Sequence, residues 1–465
     1  VFARRDVEAL DSLRPRRTGR TGAISASPVR EMLCMLPRRH LLQSAALAAC
    51  SSLPLARSVR AAANDRLTLG FIGVGTMGRS HLNGFLGRGD VEVVAICDVV
   101  AERTRSAVEM VEGRYAERKK SGEFRGVQSL VDFRELLALP GLDAVVIATP
   151  DHWHVQPAIL AARAGKHIYC EKPLTHHIAE GRQLVTEVAQ AKIQFQTGSQ
   201  QRSEFGGHFR RAVELIWNGR IGKVLRVRIG VGAAPKPCDL PPQDAPPGTD
   251  WERWLGPAPM RPYNEVLCPK GVHGHYPAWR NYQEYAGGAL ADMGAHHFDI
   301  AQWALEMDAS GPVQILPPEN PQADSGLRFR YANGIEMIHN EFEGDRKADC
   351  VFEGTEGTIL VSRSGIRTLP EQLLEQPLPG NARRVPDSNN HHQNWLDAIR
   401  GTGTLLCPAE VGHRSASICH LANIGYRLRR PLQWNPAREL FIQDPDADQH
   451  LVRAPREGWN LVAAK

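Results

Sequence analysis

The chain has 465 residues, of which 42% are apolar and 23% charged, and a formal net charge of +5. This length holds two or three domains' worth of sequence and is enough to bury a large core. The positive charge belongs to residues 1–63, because the 45 basic and 47 acidic groups of the remainder give a net charge of −2. The composition therefore argues against a nucleic-acid-binding surface.

The beginning of the chain predicts an export signal rather than folded structure. Residues 1–31 carry seven arginines and no lysine, and we expect them to precede the true start. The pair Arg38–Arg39, an apolar run from Leu41 to Leu55 and three small residues, Ala61–Ala63, then follow in the order of an export signal, and the paired arginines resemble a twin-arginine signal. We expect a periplasmic protein, with a lipid anchor at Cys50 or a cytoplasmic location as alternatives.

Residues 67–98 predict a dinucleotide-binding unit. The apolar run Leu67–Ile72 indicates a strand, and a G-x-G-x-x-G turn and a helix follow it. The glycines of that turn are Gly73, Gly75 and Gly78. They permit the turn, the approach of a pyrophosphate to the backbone, and close packing of helix on strand, respectively. A second strand, Val91–Cys97, ends on Asp98, whose carboxylate can accept from a ribose 2′-hydroxyl and would repel a 2′-phosphate, so NAD is favoured over NADP.

The alternation of strands and helices continues to about residue 190. The predicted helices are Ala101–Lys120, Asp132–Ala138, Val155–Ala164 and Ala179–Lys192, and the predicted strands are Leu142–Ala148, His167–Cys170 and Ile193–Thr197. Strand ends in a doubly wound parallel sheet line the cofactor crevice, so Thr149 and Pro150 should border the nicotinamide half. His154 in the same loop is either a cofactor contact or a histidine with solvent or backbone partners.

The next strand end carries Glu171, Lys172 and Pro173. An ammonium group at the mouth of the crevice can hydrogen-bond a substrate hydroxyl. Partial desolvation beside the cofactor can also lower the pKa of Lys172 toward working pH. We therefore interpret this lysine as a catalytic candidate.

Beyond residue 190 the sequence predicts a second, α+β domain. A helix at His208–Asn218 and a strand at Lys223–Val231 precede the proline-rich segment Ala234–Leu255, which reads as a loop or lid. From Val313 onward, short alternating segments separated by glycines are typical of an antiparallel sheet with one open face. The predicted organisation is a leader over 1–63, a Rossmann domain over 64–190 and a mostly antiparallel domain over 191–465.

One stretch of the second domain, from Gly287 to Trp303, is rich in side chains that can transfer protons. In a helix, Asp292 and His296 lie four residues apart on one face, and a carboxylate beside an imidazole orients it and raises its basicity. Asp299, three residues past His296, would instead favour a structural Asp–His network. Both interpretations stay open on the residues alone.

Cysteines and paired histidines give weak signals for other chemistry. Cys97 and Cys170 end strand-like runs and are best read as buried thiols, while Cys238 and Cys268 remain a candidate disulfide pair. Adjacent histidines point apart on helices, so no metal site is predicted. After the leader no run of about 18 apolar residues occurs, so no membrane span is predicted.

Taken together, these motifs resemble the Gfo/Idh/MocA family, which includes glucose-fructose oxidoreductase and inositol dehydrogenase. The resemblance runs from Arg66 to about Trp459 and is carried by the glycine-rich turn with Asp98, Thr149-Pro150, Glu171-Lys172-Pro173, and Gly-Gly-x-x-x-Asp-x-Gly-x-His ending at His296. The C-terminal part of the sequence is similar to that of a secreted bacterial branch of the family. Ala289 departs from the pattern, since many members have a third glycine there.

The resemblance implies a fold, a cofactor and a reaction. It implies a Rossmann domain with an open-faced sheet domain, homo-oligomerisation through that sheet as a dimer or tetramer, and NAD(P)-dependent hydride transfer between nicotinamide and a hydroxyl of a sugar, polyol or glycoside. Lys172 would bind and polarise the hydroxyl, Asp292 would orient and tune, and His296 would act as acid or base. Two alternatives are a glycoside-cleaving enzyme that oxidises, eliminates and reduces again on held NAD, and a nucleotide-binding regulator without turnover.

The implied site residues fall into two groups. The expected cofactor contacts are Gly73, Gly75, Thr76, Met77, Gly78, Asp98, Thr149, Pro150, His154, Glu171 and Lys172. The candidate sugar contacts, which flank the motifs, are Arg202, Trp279, Arg280 and Tyr285.

Overall fold

A computed structural model describes residues 66–463 apart from 321, 343 and 345. The predicted leader, with its arginine pair and Cys50, lies outside the described residues. Within the described part of the chain, every helix is too short or too polar to cross a bilayer.

In the described residues, six parallel strands form the first sheet, in the order β3-β2-β1-β4-β5-β6. The strands are β1 Leu67–Ile72, β2 Val91–Cys97, β3 Gln128–Leu130, β4 Ala144–Ile147, β5 His167–Cys170 and β6 Phe195–Thr197. The helices are α1 Thr76–Leu86, α2 Ala101–Arg114, α3 Ala116–Lys120, α4 Phe133–Leu137, α5 Val155–Arg163 and α6 Ile178–Ala191. The glycine-rich turn follows β1, which pairs with both β2 and β4, at the point where the strand order reverses. The predicted doubly wound sheet is confirmed.

Three details of this half differ from the predictions. The helix predicted over 101–120 is two helices, because Tyr115 leaves helical geometry and packs its ring edge-on against Phe124. Strand β3 has no apolar alternation that sequence analysis could detect. Strand β6 pairs with β5, so the parallel sheet extends past residue 190, where the sequence places the end of the Rossmann domain.

Nine strands of the described chain form the second sheet, in the order β13-β12-β11-β7-β10-β9-β8-β14-β15. They are β7 Val224–Ile229, β8 Gln314–Leu316, β9 Arg328–Arg330, β10 Glu336–His339, β11 Cys350–Gly354, β12 Thr358–Ser362, β13 Gly365–Leu369, β14 Leu432–Asn435 and β15 Leu440–Phe441. The helices are α7 His208–Trp217, α8 Trp251–Leu255, α9 Gly288–Ala304, α10 Gln372–Glu375, α11 His391–Ile399, α12 Ala409–Leu428 and α13 Pro445–Asp448. Neighbouring strands are antiparallel except for β7 and β10, as the mostly antiparallel prediction requires.

The two faces of the second sheet have different surroundings. Helices α7, α9 and α12 contact the sheet, and apolar side chains such as Phe298 of α9 join one core with Val227 of β7. The charged side chains of the central strands pair across the sheet, with Arg226 lying 3.8 Å from Glu336 and 3.5 Å from Glu353. The sheet therefore has an apolar helix-covered face and rows of cross-strand ion pairs.

Helix α9 begins at a backbone bend that fixes its position. Gly288 has φ +76°, and a Cβ there would lie 2.4 Å from the nitrogen of Pro235. Ala289, the departure from the family pattern, sits so close to Gly232 that a Cβ on Gly232 would come within 2.3 Å of it. Because side chains at these glycines would clash, α9 packs tightly here and carries Asp292 and His296 to a fixed place.

The candidate disulfide between Cys238 and Cys268 is wrong. Both residues are free thiols. The sulfur of Cys238 contacts Arg261, and that of Cys268 lies 3.7 Å from Arg103 Nη2. The thiols therefore serve as packing and weak acceptor groups.

Candidate active site

The glycine-rich turn has the geometry that a dinucleotide phosphate needs. Gly73 has φ +84°, and a Cβ there would lie 2.9 Å from the backbone of Ala148. A Cβ on Gly78 would lie 2.1 Å from the carbonyl oxygen of Gly73, whereas a Cβ on Gly75 would meet nothing within 4 Å. The first and third glycines thus allow backbone contact, and the second faces open space where a pyrophosphate can approach.

Gly75→Ala is expected to weaken NADH binding about 10-fold while leaving stability unchanged. The added methyl group has room in the protein, so its cost falls on the ligand that approaches the backbone. Isothermal titration with NADH, together with thermal unfolding, measures both effects. Gly113→Ala is the matched control, since its Cβ is also unobstructed but lies in α2. A Gly75→Ala variant with unchanged NADH affinity would contradict this location of the phosphate site.

A segment of the second half lies over the turn. Thr76 Oγ1 donates to the carbonyl of His275 at 2.7 Å, and the Tyr276 hydroxyl lies 3.7 Å from the sulfur of Met77. The guanidinium of Arg103 on α2 donates to the carbonyl of Gly271 at 2.9 Å. These contacts enclose the mouth of the cofactor crevice between the two halves of the chain.

Asp98 ends β2 as predicted and lines a cavity of about 450 Å³ together with the turn. One of its carboxylate oxygens accepts from the backbone N–H of Val74 at 2.8 Å, and the other accepts from Val100 at 2.9 Å. Each oxygen keeps a further lone pair. The two bonds therefore fix the carboxylate while leaving it able to accept from a ribose hydroxyl.

His154 has backbone partners, which was one of the two predicted alternatives. Its Nδ1 lies 2.8 Å from the carbonyl of Pro173, and its Nε2 lies 3.0 Å from the carbonyl of Thr149. The ring also lines the cavity. It therefore joins the ends of two strands and holds the loops that border the crevice.

Lys172 reaches from the first half of the chain to the second. Its Nζ donates to Oδ1 of Asp292 at 2.6 Å and to the carbonyl of the same residue at 3.0 Å. Burial opposes the charge, but Asp292 and Glu171 outweigh it and raise the pKa of Lys172. The expectation of a lowered lysine pKa is therefore wrong, because desolvation is compensated by carboxylates.

The predicted pairing of Asp292 with His296 is not formed. The Asp292 carboxylate is bonded to Lys172 and lies 3.6 Å from Arg280 Nε. The Nδ1 of His296 is buried without a partner among the described residues. Burial, with Lys172 and Arg363 nearby, lowers the pKa of His296 well below its usual value, so the imidazole is neutral at pH 7. Asp292 therefore tunes the lysine rather than the histidine.

Glu171 is held by the nucleotide-binding half. Its Oε1 lies 2.8 Å from His81 Nε2 and accepts from Gln200 Nε2 at 2.8 Å. Burial opposes its ionisation, but bonds from His81 and the Lys172 charge outweigh it and lower the pKa of Glu171 to about 2. A Cβ on Gly198 would come 2.4 Å from the same carboxylate. Glu171 is therefore an ionised group that faces the crevice in one fixed orientation.

Two candidate sugar contacts lie outside the cavity. The guanidinium of Arg202 is 1% exposed and binds Asp299 and Asp308 with four hydrogen bonds of 2.7–2.8 Å. Tyr285 is fully buried and packs against His152 at 5.3 Å between ring centres. The structure does not bring either side chain into the cavity, because each is engaged in internal contacts. Asp299 does belong to a structural network, but its partner is Arg202.

The other two candidates line the cavity. Trp279 and Arg280 follow one another in a short 3₁₀ turn, Ala278–Asn281, and both border the cavity. The guanidinium stacks 4.1 Å from the centre of the Trp279 ring. This stacking fixes a flat, cationic part of the cavity wall beside Asp292.

The sequence did not single out Asp151 or Arg363, which also line the cavity. Asp151 follows Pro150 directly and accepts no side-chain hydrogen bond from the described residues. Burial, followed by the Asp292 charge, raises the pKa of Asp151 to about 8, so the group is protonated at neutral pH. An acid four residues after the end of buried strand β4 was a readable signal, whereas Arg363 enters from the turn between β12 and β13 and had none.

Beside the site lies a cluster of buried neutral histidines. His420 on α12 has its Nε2 2.7 Å from the carbonyl of Thr175, and burial lowers the pKa of His420 to about 4. The pKa of His176 is also lowered well below its usual value by burial. Both imidazoles are therefore neutral in the folded protein at neutral pH.

His420→Gln is expected to reduce the loss of folding stability that occurs as the pH falls. A histidine with a folded pKa near 4 and an unfolded pKa near 6.5 contributes fully above pH 6.5, and the contribution is lost as pH falls toward 4, by roughly 2–3 kcal/mol. Glutamine keeps a donor for Thr175 but has no proton to gain. Urea unfolding at pH 8, 6 and 4.5 measures the difference, with the exposed His275→Gln as control. Parallel curves for His420→Gln and the wild type would refute the assignment.

No group of three or more metal-binding side chains with suitable geometry occurs among the described residues. In the described part of the chain, a dinucleotide is the group that the glycine turn and Asp98 fit.

Comparisons with known proteins agree with this geometry. A family model described as "Oxidoreductase family, NAD-binding Rossmann fold" (GFO_IDH_MocA) matches residues 67–199, and its companion, the "C-terminal alpha/beta domain" (GFO_IDH_MocA_C2), matches residues 234–461. Together they cover most of the chain.

The sequence identity to individual relatives is modest. The chain is 25% identical to the 1,5-anhydro-D-fructose reductase of Ensifer adhaerens over 358 residues, which cover 74% of this chain and 91% of the relative. It is 32% identical to the myo-inositol 2-dehydrogenase of Thermotoga maritima over 257 residues, 54% of this chain and 59% of the relative. The crystal structure of the WlbA dehydrogenase from Bordetella pertussis, in complex with NADH and UDP-GlcNAcA, has a TM-score of 0.54 at 18% identity, covering 80% of this chain and 99% of that one. This last similarity concerns the fold.

Proposed function

Because the chain belongs to the Gfo/Idh/MocA oxidoreductase family, we propose that it is an NAD-dependent oxidoreductase that transfers a hydride between nicotinamide and a hydroxyl-bearing carbon of a sugar, polyol or glycoside. The observation that carries the proposal is the cavity shared by both halves. Lys172 from the first half and Asp292 and His296 from the second line the same cavity as Gly73 and Gly75.

Each side chain has a separate task in this proposal. When bound, NAD supplies the acceptor for the hydride at its nicotinamide ring. The Lys172 ammonium, fixed by Asp292 at 2.6 Å, donates to the reacting hydroxyl oxygen. The neutral imidazole of His296 accepts the hydroxyl proton on a nitrogen lone pair, and the alcohol carbon becomes a carbonyl.

The protonation of Asp151 is compatible with the proton transfer proposed for Lys172 and His296. Its raised pKa of about 8 keeps it protonated beside Lys172 and Asp292, so it adds no further negative charge to the cavity at neutral pH. Above pH 8, Asp151 is ionised, and its negative charge adds to the electrostatic attraction that acts on the Lys172 ammonium. Activity is therefore expected to change with an apparent pKa near 8 in the wild type.

The family resemblance also supports an oligomer. In this proposal, two or four copies associate through the second sheet, whose central strands carry the ion pairs of Arg226 with Glu336 and Glu353. Light scattering coupled to size exclusion measures the mass directly. A monomer at micromolar concentration would contradict this part of the proposal.

The deciding experiment identifies nucleotide and substrate in turn. Native mass spectrometry of the purified protein detects a bound dinucleotide, and a panel of sugars, polyols and glycosides is then followed at the NADH absorbance band. Net NADH formation or loss with a sugar or polyol supports the proposal. Glycoside cleavage without net NADH identifies the oxidation–elimination–reduction alternative, and nucleotide binding without any turnover identifies a regulator.

A further inference from the structure

Three cations lie around the Asp292 carboxylate at the reacting end of the cavity. Burial raises the pKa of Asp292, but Lys172, Arg280 and Arg363 together outweigh it and lower that pKa. All three cations therefore lie near one carboxylate. The carboxylate is already bonded to the lysine at 2.6 Å.

Asp151 is protonated at neutral pH, and two further carboxylates at this end of the cavity have partners of their own. Glu171 is bonded to His81 and Gln200 at 2.8 Å. Glu204 Oε1 accepts from the backbone of His391 at 3.4 Å. Neither is ion-paired to an arginine within the described residues. Asp349 Oδ2 accepts from the backbone N–H of Arg363 at 3.1 Å, which leaves the guanidinium itself without an ion pair among the described residues.

Arg363 is built as a rigid donor rather than as a surface arginine. It occupies the two-residue turn between β12 and β13, where Ser362 pairs with Gly365. Its Nε donates to Gln201 Oε1 at 2.9 Å, and its guanidinium lies 4.7 Å from the centre of the Phe205 ring. Its two terminal nitrogens have no hydrogen-bond partner among the described residues, although the side chain lines the cavity.

A guanidinium held by its Nε and by an aromatic ring presents its terminal N–H groups as a fork. That fork matches the two oxygens of a carboxylate or a phosphate. Neutral sugar hydroxyls can accept hydrogen bonds from the fork, but only an anion adds the charge-assisted term that makes such bonds about twice as strong. Arg363 also lowers the pKa of His296 from nearby, after burial and Lys172, so an anion at Arg363 would belong to the molecule that reaches the reacting groups.

We propose that the cavity takes a sugar carrying an anionic group, either the carboxylate of a sugar acid or the phosphate of a sugar phosphate, and that Arg363 binds that group. This inference rests on the proposed function, because it takes the reacting molecule to be a sugar. It narrows the substrate class from sugars in general to anionic ones.

The test uses matched sets of ligands on the full chain. Each set contains a hexose, its uronate and its 6-phosphate, in the gluco, galacto and manno configurations, with kcat/KM measured at the NADH absorbance band. We expect at least one anionic member to exceed its parent hexose by about 10- to 100-fold. Preference for the uronate over the 6-phosphate, or the reverse, distinguishes the two sources of charge.

Arg363→Gln is expected to remove this preference, mostly through KM, because the anionic members lose more kcat/KM than the parent hexose does. Arg105→Gln is the charge-matched control, since that arginine is 70% exposed on α2. Calorimetric titration of the NADH-loaded protein with each uronate gives a readout that needs no turnover. Thermal unfolding checks that the variants are folded.

The outcomes separate this inference from the proposed function. Hexose turnover equal to that of the anionic members, or an equal loss for both in Arg363→Gln, overturns the anion site and leaves the oxidoreductase standing. Uronate binding that weakens at least 10-fold in Arg363→Gln without turnover of any sugar supports the anion site and removes the proposed function. Absence of both turnover and uronate binding overturns the inference.

Discussion

Lys172→Met is expected to lower kcat for the sugar substrate by about 10³-fold while leaving NADH affinity within a factor of about three. Methionine fills a similar volume but has no ammonium group to bind the reacting hydroxyl. It also leaves the Asp292 carboxylate without its 2.6 Å partner. The loss should appear in kcat rather than in NADH binding, because the glycine-rich turn is untouched.

Lys166→Met is the matched control for that experiment. Lys166 lies just before β5, whereas Lys172 lies just after it, and its Nζ donates to the carbonyl of Leu142 at 2.9 Å. Steady-state kinetics and NADH titration of the two variants give a direct comparison. A Lys172→Met enzyme that turned over within a few-fold of the wild type would remove this lysine from the reaction.

Arg202→Met is expected to destabilise the protein by about 3–5 kcal/mol. Asp299 is fully buried and takes two hydrogen bonds of 2.8 Å from this guanidinium. Without it, a carboxylate with a pKa already raised by burial would have to stay ionised alone or take up a proton. Asp308 is 33% exposed in its side chain and can be solvated, so the cost comes mainly from Asp299.

The double variant Arg202→Met/Asp299→Asn distinguishes charge from packing. Removing both members of the buried pair should restore most of the stability that the single change loses. Chemical denaturation of the wild type, both single variants and the double variant completes the cycle. A single Arg202→Met variant that kept full stability but lost sugar binding would return Arg202 to the substrate site.

Local sequence patterns predicted the nucleotide half well, because its signals come from neighbours along the chain. The turn at Gly73, Gly75 and Gly78, the strand before it and the acid after β2 all lie within 32 residues, and their geometry depends on steric limits of the backbone. Strand β3 was missed because three partly exposed residues leave no periodicity to read.

The candidate site was harder to predict, because its pairs join distant parts of the chain. The i, i+4 spacing on α9 favoured Asp292 with His296, but Lys172 lies 120 residues away in sequence and takes the carboxylate. Arg202 was placed with the sugar because it follows a strand end, yet its acid partners come 97 and 106 residues later. Which cation reaches which acid depends on how the two sheets pack.

Arg363 was also missed, although here the neighbouring residues offered no signal rather than a misleading one. A charged residue at the tip of a hairpin is usually solvated, and nothing in its immediate neighbours indicates otherwise. Its direction is determined by Gln201 and Phe205, which belong to the segment after β6. Only the assembled fold brings that segment against the second sheet.

The covering of the phosphate turn has a consequence for how the dinucleotide enters and leaves. Thr76 is bonded to the carbonyl of His275, and Arg103 to that of Gly271, so the largely exposed segment 271–276 lies across the crevice. For a dinucleotide to pass over the turn, the contacts of this segment with Thr76 and Arg103 have to break. Under the proposed function, exchange of the nucleotide would then depend on movement of this segment as well as on diffusion.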